Sequence, residues 1–348
     1  MSVSTLSVPL ADDFHTHLRQ GALMRAVTPL LKPSGVGLAY VMPNLKPPIS
    51  NTEQALAYKA ELEALAPGVE FMMTLYLGPE LTPDEIHKAA KAGVAGVKSY
   101  PRGVTTNSDS GIESYTTYYP VFKAMEENNM VLNLHGEIPS DPNNDVCVMN
   151  AEERFLTHLK ELHRDFPKLK IVLEHATTKA AVEVVESLGE TVGCTITLHH
   201  LTLVVDDWAG QCHHFCKPVA KFPHDREALR RVIKSGHPRF FLGTDSAPHP
   251  RHLKEGPSAA AGVFTGPHVL PYLAHILESF GALDQLRHFA CENGRRFYGV
   301  AQASSESVAV LVREPFTIAK EIHFTDDEGQ ERALVPFMAG KTLNWRLQ

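Results

Sequence analysis

Short apolar runs alternate with helix-like segments along most of the chain. Eight of these runs have the length and the content of β-branched and other apolar residues that are typical of strands. They are Val8–His17, Gly37–Pro43, Phe71–Leu77, Val94–Tyr100, Met130–Gly136, Lys170–His175, Val192–His199 and Arg239–Asp245. Strands that alternate in this way with segments of helical length predict βα units and a parallel sheet.

Helix start and stop signals fall between the predicted strands. Thr82-Pro83-Asp84-Glu85 is a capping box with proline at the first helical position, and Gly93 fits the end of that helix. The other predicted helices are Thr52–Leu65, Pro120–Asn128, Ala151–Phe166 capped by Asn150, Lys179–Leu188 capped by Thr178, Asp225–Lys234 and Pro271–Phe280. Eight strands with about as many helices predict a closed (β/α)8 TIM barrel. A doubly wound sheet would want a glycine-rich phosphate loop after its first strand.

The composition is that of a globular protein of the cytoplasm. Of the 348 residues, 43% are hydrophobic, and the net charge of -7 lacks the basic footprint of a nucleic-acid-binding protein. Five scattered cysteines suit a reducing compartment better than a disulfide framework. Neither a secretory signal nor an apolar stretch of membrane-spanning length is evident. We expect a single barrel domain over residues 1–348, with 301–348 a C-terminal extension that packs on the barrel.

Residues with metal-binding side chains follow several of the predicted strands. The first strand ends in Asp13-Phe14-His15-Thr16-His17-Leu18-Arg19, where His15 and His17 share one face and can reach a single metal ion. Alone, this pair is a weak signal, and two half-buried histidines that satisfy each other and the backbone are the commoner explanation. Active sites of such barrels form at the carboxyl ends of the strands, and the other ends carry Asn44, Lys98, His135, His175 and Asp245. Core packing does not explain six strands that deliver such residues to one rim.

The candidate ligands exceed the needs of one catalytic zinc ion, which usually takes three protein ligands. Two metal ions about 3.5–4 Å apart would use them all and share a bridging hydroxide. Lys98 is the unusual member, since an ammonium group beside two dications must be neutral or modified. A lysine carbamylated by CO2 has two oxygens that can bridge two metals. A buried amine paired with an acid is the alternative, and the residues alone leave both open.

Six motifs in chain order carry a family resemblance. They are Asp13–Arg19, Val41-Met42-Pro43-Asn44-Leu45, Val97-Lys98-Ser99-Tyr100-Pro101, Leu134-His135-Gly136-Glu137, Glu174-His175-Ala176-Thr177-Thr178-Lys179 and Gly243-Thr244-Asp245-Ser246-Ala247-Pro248-His249. As a set they resemble the dihydroorotases, specifically the short, class II form within the amidohydrolase superfamily. The resemblance runs from about Val8 to about Gly299 and returns at Leu334-Val335-Pro336-Phe337.

The resemblance implies a binuclear zinc enzyme of de novo pyrimidine (UMP) biosynthesis that forms a homodimer. His15, His17 and Asp245 would hold the more buried metal, and His135 and His175 the more exposed one. Carbamylated Lys98 (N6-carboxylysine) would bridge the two ions. The implied reaction is the reversible conversion of L-dihydroorotate to N-carbamoyl-L-aspartate. A metal-bridging hydroxide would attack the ring amide carbonyl, with Asp245 as general acid and base.

The resemblance also assigns substrate contacts. Arg19, Asn44 and His249 would bind the substrate carboxylate, for which the Arg19 guanidinium offers a bidentate fork. Without the motif, Arg19 reads as a surface arginine and His249 as an ordinary loop histidine. The remaining matches are backbone contacts from Ala261, Gly262 and Lys217, a lid over the substrate from Thr105 and Thr106, and His200 with no definite role. The polar loop 101–119 has the composition of a functional lid or of a plain surface loop.

Three alternatives compete with this interpretation. Cys212-x-x-x-Cys216 with two histidines between them suggests a separate zinc site, but the spacing is poor and no second ligand pair is evident. Another cyclic-amide hydrolase, such as a hydantoinase or allantoinase, would build an accessory β-sandwich from long segments on both sides of the barrel. A first strand near Val8 leaves no room for the N-terminal half. An inactive scaffold would typically lose metal ligands, and this chain keeps all six.

Overall fold

Eight parallel strands form the centre of the molecule in the computed structural model, which describes residues 4–303 and 308–348. They lie in sequential order as β2 (Ala11–Thr16), β3 (Val36–Val41), β4 (Glu70–Tyr76), β5 (Gly96–Ser99), β6 (Val131–His135), β7 (Ile171–Glu174), β8 (Val192–Ile196) and β9 (Phe240–Leu242). The ends of β2 and β9 meet through backbone hydrogen bonds from His17 N to Ser246 O (3.0 Å) and from Asp245 N to His15 O (2.8 Å). The predicted (β/α)8 barrel is confirmed.

Helices lie between the strands, as the capping signals predict. The α-helices are α1 (Gly21–Val27), α2 (Thr52–Leu65), α3 (Pro83–Lys91), α4 (Tyr119–Glu127), α5 (Ala151–Asp165), α6 (Lys179–Ser187), α7 (Val205–Trp208), α8 (Pro223–Lys234), α9 (Arg251–Lys254), α10 (Val269–Ser279) and α11 (Asn293–Tyr298). Thr82 and Thr178 cap α3 and α6 with their side chains, as predicted. Asn150 does not cap α5 with its side chain, because its Oδ1 accepts from Cys147 N (2.9 Å) instead.

The prediction of one continuous strand over Val8–His17 is wrong. The run divides at Leu10 into β1 (Thr5–Pro9), outside the barrel, and β2 within it. β1 pairs antiparallel with β10 (Val308–Val312), which pairs in turn with β15 (Arg346–Leu347). Two further strand pairs are β11 (Phe316–Thr317) with β14 (Thr342–Leu343) and β12 (Ile322–Thr325) with β13 (Glu331–Leu334). Every residue of β2 is buried, whereas exposure varies along β1, as expected for a strand with one solvated face.

A cluster of apolar and aromatic side chains fills the barrel interior and supports the rim. Six of the barrel strands and α11 contribute to it, and it includes Phe14, Leu38, Tyr40, Met72, Val131, Val172, Phe241, Phe297 and Tyr298. Phe14 stacks on Tyr298 with ring centroids 4.8 Å apart. The Tyr298 hydroxyl accepts a hydrogen bond from Asn133 Nδ2 (2.6 Å), so this cluster is connected to a polar side chain of β6. Within the described ranges, none of the helices combines the length and apolar character needed to cross a bilayer.

Candidate metal centre and substrate pocket

The six side chains that the sequence marks as metal ligands lie at the carboxyl end of the barrel. None has more than 8% of its surface exposed. They are His15 in β2, His17 just beyond it, Lys98 in β5, His135 at the end of β6, His175 just beyond β7 and Asp245 beyond β9. Ring centroids are 5.3 Å apart for His15 and His17, 4.9 Å for His15 and His175, and 4.8 Å for His135 and His175. The four imidazoles therefore form one continuous cluster.

Three acceptor atoms face one another between β2 and β9. The Nδ1–H of His15 donates to Glu174 Oε2 (2.7 Å) and that of His17 to Asn44 Oδ1 (2.8 Å), which leaves lone pairs on both Nε2 atoms. These Nε2 atoms lie 3.4 Å and 3.0 Å, respectively, from Asp245 Oδ1. Burial lowers the pKa of His17 to about 4, which favours the neutral ring. Lone pairs this close repel one another unless a cation lies between them, and neutral imidazole and carboxylate are ligands for divalent metals. This donor set fits a metal ion.

His135 and His175 form the second part of the centre. His135 Nε2 is 2.8 Å from Glu137 Oε2, so that nitrogen carries the proton and Nδ1 is left as a lone pair. His175 Nδ1 is buried and has no hydrogen-bond partner among the described residues. Its backbone N donates to Thr195 Oγ1 (2.7 Å) and its φ is +41°, a left-handed conformation that β7 and β8 hold in place. Burial lowers the pKa of both rings, and neutral rings can act as ligands.

Lys98 is fully buried, and no carboxylate of the described residues lies within ion-pair distance of its ammonium group. Its Nζ lies 4.1 Å from the centroid of the Tyr100 ring and 3.4 Å from Ser99 O, and it forms no ion pair within the described part of the chain. Burial lowers its pKa to about 7. The alternative of a buried amine paired with an acid therefore finds no support in the contacts. A partly neutral amine at this position retains the nucleophilic lone pair that CO2 requires.

Glu174 orients the centre, although no role was predicted for it from the sequence. Its Oε1 accepts from Asn133 Nδ2 (2.6 Å), and its Oε2 accepts from Thr195 Oγ1 (2.6 Å) as well as from His15. A carboxylate that is held by three donors fixes the tautomer and the ring orientation of a metal-binding histidine. The signal available in the sequence was its position directly before His175, the last residue of the predicted strand Lys170–His175.

A narrow pocket opens from this cluster towards the solvent side of the barrel. Its cavity volume is about 20 Å³, room for roughly one water molecule. The lining residues are His15, His17, Arg19, Asn44, Tyr100, Thr105, Thr106, His135, His175, Lys217, Asp245, Ala247, Ala261 and Gly262. The predicted ligands other than Lys98 thus share this pocket with most of the predicted substrate residues. A ring-sized substrate requires the surrounding loops to open.

Arg19 and His249 meet beside the pocket. Arg19 Nε donates to Pro248 O (3.0 Å), and its Nη2 lies 3.0 Å from His249 Nε2. His249 Nε2 is also 3.0 Å from Ala261 O. This nitrogen either carries a proton and donates to Ala261 O, or has a lone pair and accepts from Arg19, so only one of the two contacts is a hydrogen bond at a time. Burial and the neighbouring guanidinium lower the pKa of His249 to about 2, which keeps the ring neutral. Arg19 is consequently the cationic member of the pair.

Asn44 ties the pocket to the loop that contains Thr105 and Thr106. Its Nδ2 donates to Thr106 O (3.1 Å), and its own carbonyl accepts from Asn107 Nδ2 (2.8 Å). Thr106 Oγ1 also approaches Ala261 O at 3.5 Å on the opposite wall. One side-chain N–H of Asn44 therefore donates to this loop, and the side-chain oxygen accepts from His17. The sequence did not indicate either hydrogen bond. The loop lies closed across the pocket.

Lys254 joins the two loops that form the far wall, and no role was predicted for it from the sequence. Its side chain is 3% exposed, and its Nζ donates to Phe215 O (2.9 Å), Ala260 O (2.8 Å) and Gly262 O (2.7 Å). Gly262 N donates in turn to Phe215 O (3.0 Å). Lys217 in one loop and Gly262 in the other line the pocket, so one ammonium group fixes both backbone segments.

Known proteins resemble this sequence over its full length. Residues 43–300 match the sequence model of the amidohydrolase family. The chain is 51% identical to the dihydroorotase of Mycosarcoma maydis in an alignment of 391 residues that covers 100% of this chain and 99% of the relative. The chain belongs to the dihydroorotase family. The predicted resemblance is confirmed.

Two solved dihydroorotases have the same fold. The dihydroorotase of Saccharomyces cerevisiae, crystallised in complex with 5-fluoroorotic acid, matches with a TM-score of 0.94 and 43% identity and covers 99% of both chains. That of Campylobacter jejuni matches with a TM-score of 0.88 and 33% identity, covering 100% of this chain and 99% of the other. The agreement extends to the segment beyond residue 300, since neither alignment is confined to the barrel.

Proposed function

We propose that this chain catalyses the reversible hydrolysis of L-dihydroorotate to N-carbamoyl-L-aspartate in de novo pyrimidine biosynthesis. The observation that carries the proposal is the convergence of His15, His17 and Asp245 as acceptors in the same pocket as Arg19. The first group of side chains suits a metal ion, and the guanidinium suits a substrate carboxylate. The 51% identity to the Mycosarcoma maydis dihydroorotase supports the same substrate.

The residues present fit two zinc ions, which is the cofactor that the family resemblance implies. His15, His17 and Asp245 would hold one ion, and His135 and His175 the other. When bound, such ions lower the pKa of a water molecule and polarise the amide carbonyl that it attacks. The unpartnered nitrogens at His15 Nε2 and His175 Nδ1 support this assignment, because buried polar atoms in proteins are otherwise almost always paired.

Lys98 would join the two ions as a carbamate. The neutral amine attacks the carbon of CO2 and loses one proton, which gives a carbamate anion with two oxygens at Nζ. The complete burial of Lys98 and its pKa of about 7 support this modification, since the reactive neutral amine is present near neutral pH. An anionic bridge also removes the repulsion that an ammonium group would exert on two dications.

Asp245 is placed to move the proton during hydrolysis. Water adds its oxygen to the ring amide carbonyl and its two protons to the products, and the C–N bond of the ring breaks. Asp245 accepts one of those protons at a carboxylate oxygen and delivers it to the leaving nitrogen. Its φ of +47° at the end of β9 turns the carboxylate towards His15 and His17, so the acceptor has a fixed position.

The remaining pocket residues would orient the substrate and exclude solvent. Arg19 offers the substrate carboxylate a charged hydrogen-bond donor, supported by the second amide N–H of Asn44 and by His249. Ala261, Gly262 and Lys217 would present backbone groups to the ring. Thr105 and Thr106 would act as a lid, which the small volume of the closed pocket supports, and exclusion of water strengthens every charge interaction inside.

We further infer a homodimer in the cytoplasm, in which residues 301–348 are an extension of a single barrel domain. Contacts between the C-terminal segment and α10 support the single domain, because Trp345 Nε1 donates to Glu278 Oε2 (3.2 Å) and Trp345 is fully buried. Sedimentation equilibrium of the purified protein tests the homodimer, and a monomer at all accessible concentrations would contradict it.

Turnover of L-dihydroorotate tests the proposed function directly. We expect the purified, zinc-replete protein to remove the ultraviolet absorbance of the ring amide. A chelator should abolish the activity, and added zinc should restore it. Hydantoin and allantoin, cyclic amides without the carboxylate that Arg19 would bind, serve as matched control substrates. Turnover of either control without turnover of L-dihydroorotate would refute the substrate assignment, and no turnover at all in a folded, metal-replete sample would refute the enzyme assignment.

A further inference from the structure

A second cluster of metal-binding side chains lies outside the proposed catalytic centre. His199 and His200 follow β8, and Cys216 lies in the loop that continues to the pocket residue Lys217. The three side chains are 0%, 2% and 1% exposed, respectively. One ligand atom from each of them lies within 4.8 Å of the others. The arrangement therefore brings two imidazoles and a thiol together from segments separated in sequence.

The distances around Cys216 suit tetrahedral coordination. Cys216 Sγ is 3.5 Å from His200 Nε2, and Pro218 O lies 3.2 Å from the sulfur and 3.0 Å from the same nitrogen. A tetrahedral zinc ion with Zn–S of about 2.3 Å and Zn–N of about 2.0–2.1 Å separates its ligands by roughly 3.3–3.6 Å. The thiol, the imidazole and the carbonyl thus already form a triangle close to one face of such a site, with His199 on its remaining side.

The two imidazoles lack most of the hydrogen-bond partners that buried rings normally have. His200 keeps one, since its Nε2 donates to Pro218 O, and binding of an ion at that nitrogen requires the other tautomer of the ring. Both ring nitrogens of His199 and Nδ1 of His200 are buried and lack hydrogen-bond partners within residues 4–303 and 308–348. The two rings lie 4.4 Å apart between centroids. Burial lowers the pKa of His199 to about 4, so the ring is neutral and has a free lone pair. An unpaired buried polar atom is unfavourable, and a bound ion would remove this cost at the nitrogen that it coordinates.

The charge that stabilises a thiolate at Cys216 would come from the bound cation itself. Burial and the negative charge of Asp245 raise the pKa of the Cys216 thiol, and the positive charges of Lys254 and Lys221 offset only part of this rise. Coordination of a cation by sulfur releases the thiol proton and leaves a thiolate–metal bond, with one proton given to solvent for each ion bound. The ammonium groups of Lys221 and Lys254 donate hydrogen bonds to backbone carbonyls, so neither lysine is a candidate ligand for the ion.

We propose that His199, His200 and Cys216 form a third metal site for a thiolate-binding ion of the zinc class, with Pro218 O as the fourth ligand. The site would fix the loop that precedes Lys217 against the end of β8 and thereby hold one wall of the substrate pocket. This arrangement differs from the Cys212–Cys216 pairing that the sequence suggested and disfavoured. His213 and His214 contact Glu255 Oε1 (3.0 Å) and Asp207 O (2.8 Å) instead.

Cobalt substitution tests the site independently of turnover. The proposed catalytic ligands contain no sulfur, so a thiolate-to-Co(II) charge-transfer band in the near ultraviolet reports only the new site. We expect this band in the wild type, together with one Co(II) ion per chain beyond the catalytic two. Cys212→Ser is the control variant, because Cys212 is nearby but lies outside the cluster, and it should keep both the band and the additional ion. Cys216→Ser should lose both. Absence of the band in the wild type, or its persistence in Cys216→Ser, would overturn the proposal.

A second variant covers the case in which Cys216→Ser does not fold. His199→Gln retains the sulfur but removes one nitrogen ligand, so we expect weaker Co(II) binding and a shifted band at saturation. A band and an affinity identical to those of the wild type would exclude His199 as a ligand. The outcome is separable from that of the proposed function, since L-dihydroorotate turnover depends on the catalytic ions whether or not the third ion binds.

Discussion

Lys254→Met removes the ammonium group that fixes two loops of the substrate pocket. Hydrogen bonds to a charged donor contribute about 1.5–3 kcal/mol each, and Lys254 makes three of them. Burial offsets part of this, because lowering its pKa from 10.5 to about 8 corresponds to about 3.4 kcal/mol. At least about 1 kcal/mol remains, which is a factor of about five in an equilibrium constant. We therefore expect the KM for L-dihydroorotate to rise about fivefold or more.

Initial rates over a range of L-dihydroorotate concentrations measure this effect, with zinc content determined on the same samples. The expected pattern is a raised KM, a smaller change in kcat and an unchanged zinc content, since Lys254 contacts the loops and none of the proposed ligands. Lys221→Met is the matched control: Lys221 is also buried, but its Nζ donates to Val219 O (2.8 Å), outside the pocket lining. A normal KM in folded Lys254→Met, or the same rise in both variants, would refute the reasoning.

Four other substitutions test the proposed centre. Lys98→Ala should abolish turnover, with partial rescue by small carboxylic acids that replace the carbamate; full activity without rescue would contradict the bridge. Arg19→Ala and His249→Ala should weaken substrate binding, by about 10–100-fold for Arg19, while zinc content stays normal. Loss of zinc from either would show that the assignment is wrong. Glu174→Gln should lower zinc affinity about 10–100-fold, measured by competition with a chelator, because His15 loses its orienting carboxylate. Unchanged affinity would remove Glu174 from this role.

Local patterns predict the fold well where the determining contacts are local. The bounds of α2 agree with those predicted, because a helix that closes against Pro67 has its end determined within a few residues. The division of Val8–His17 into β1 and β2 could not be read in the same way. Nothing in the local pattern separates the two halves, and the partner that draws β1 out of the barrel lies in β10, about 300 residues away. Strand content was visible in the sequence, whereas sheet membership depends on distant pairing.

The candidate site also contains residues that local patterns predict and residues whose roles depend on distant contacts. His15 and His17 could be identified because side chains two apart on a strand share a face, a rule that needs no partner. The role of Glu174 depends on a contact with His15 across 159 positions of sequence, and that of Lys254 on carbonyls that carry no residue-specific signal. Asn44 was identified as a polar residue at a strand end, but its bond to the Thr106 carbonyl arises from loop closure.

The small sheet of β1, β10 and β15 has a consequence for how the protein is made. β1 emerges from the ribosome before its partners at Val308–Val312 and Arg346–Leu347, which are synthesised about 300 residues later or more. At about 5–20 residues per second, β1 remains unpaired for roughly 15 to 60 s during translation. The buried strand β2 directly follows this segment, and its free edge in the nascent barrel stays open until β9 (Phe240–Leu242) is made, about 225 residues later. We therefore expect chaperone contact during synthesis to involve the segment from β1 to β2.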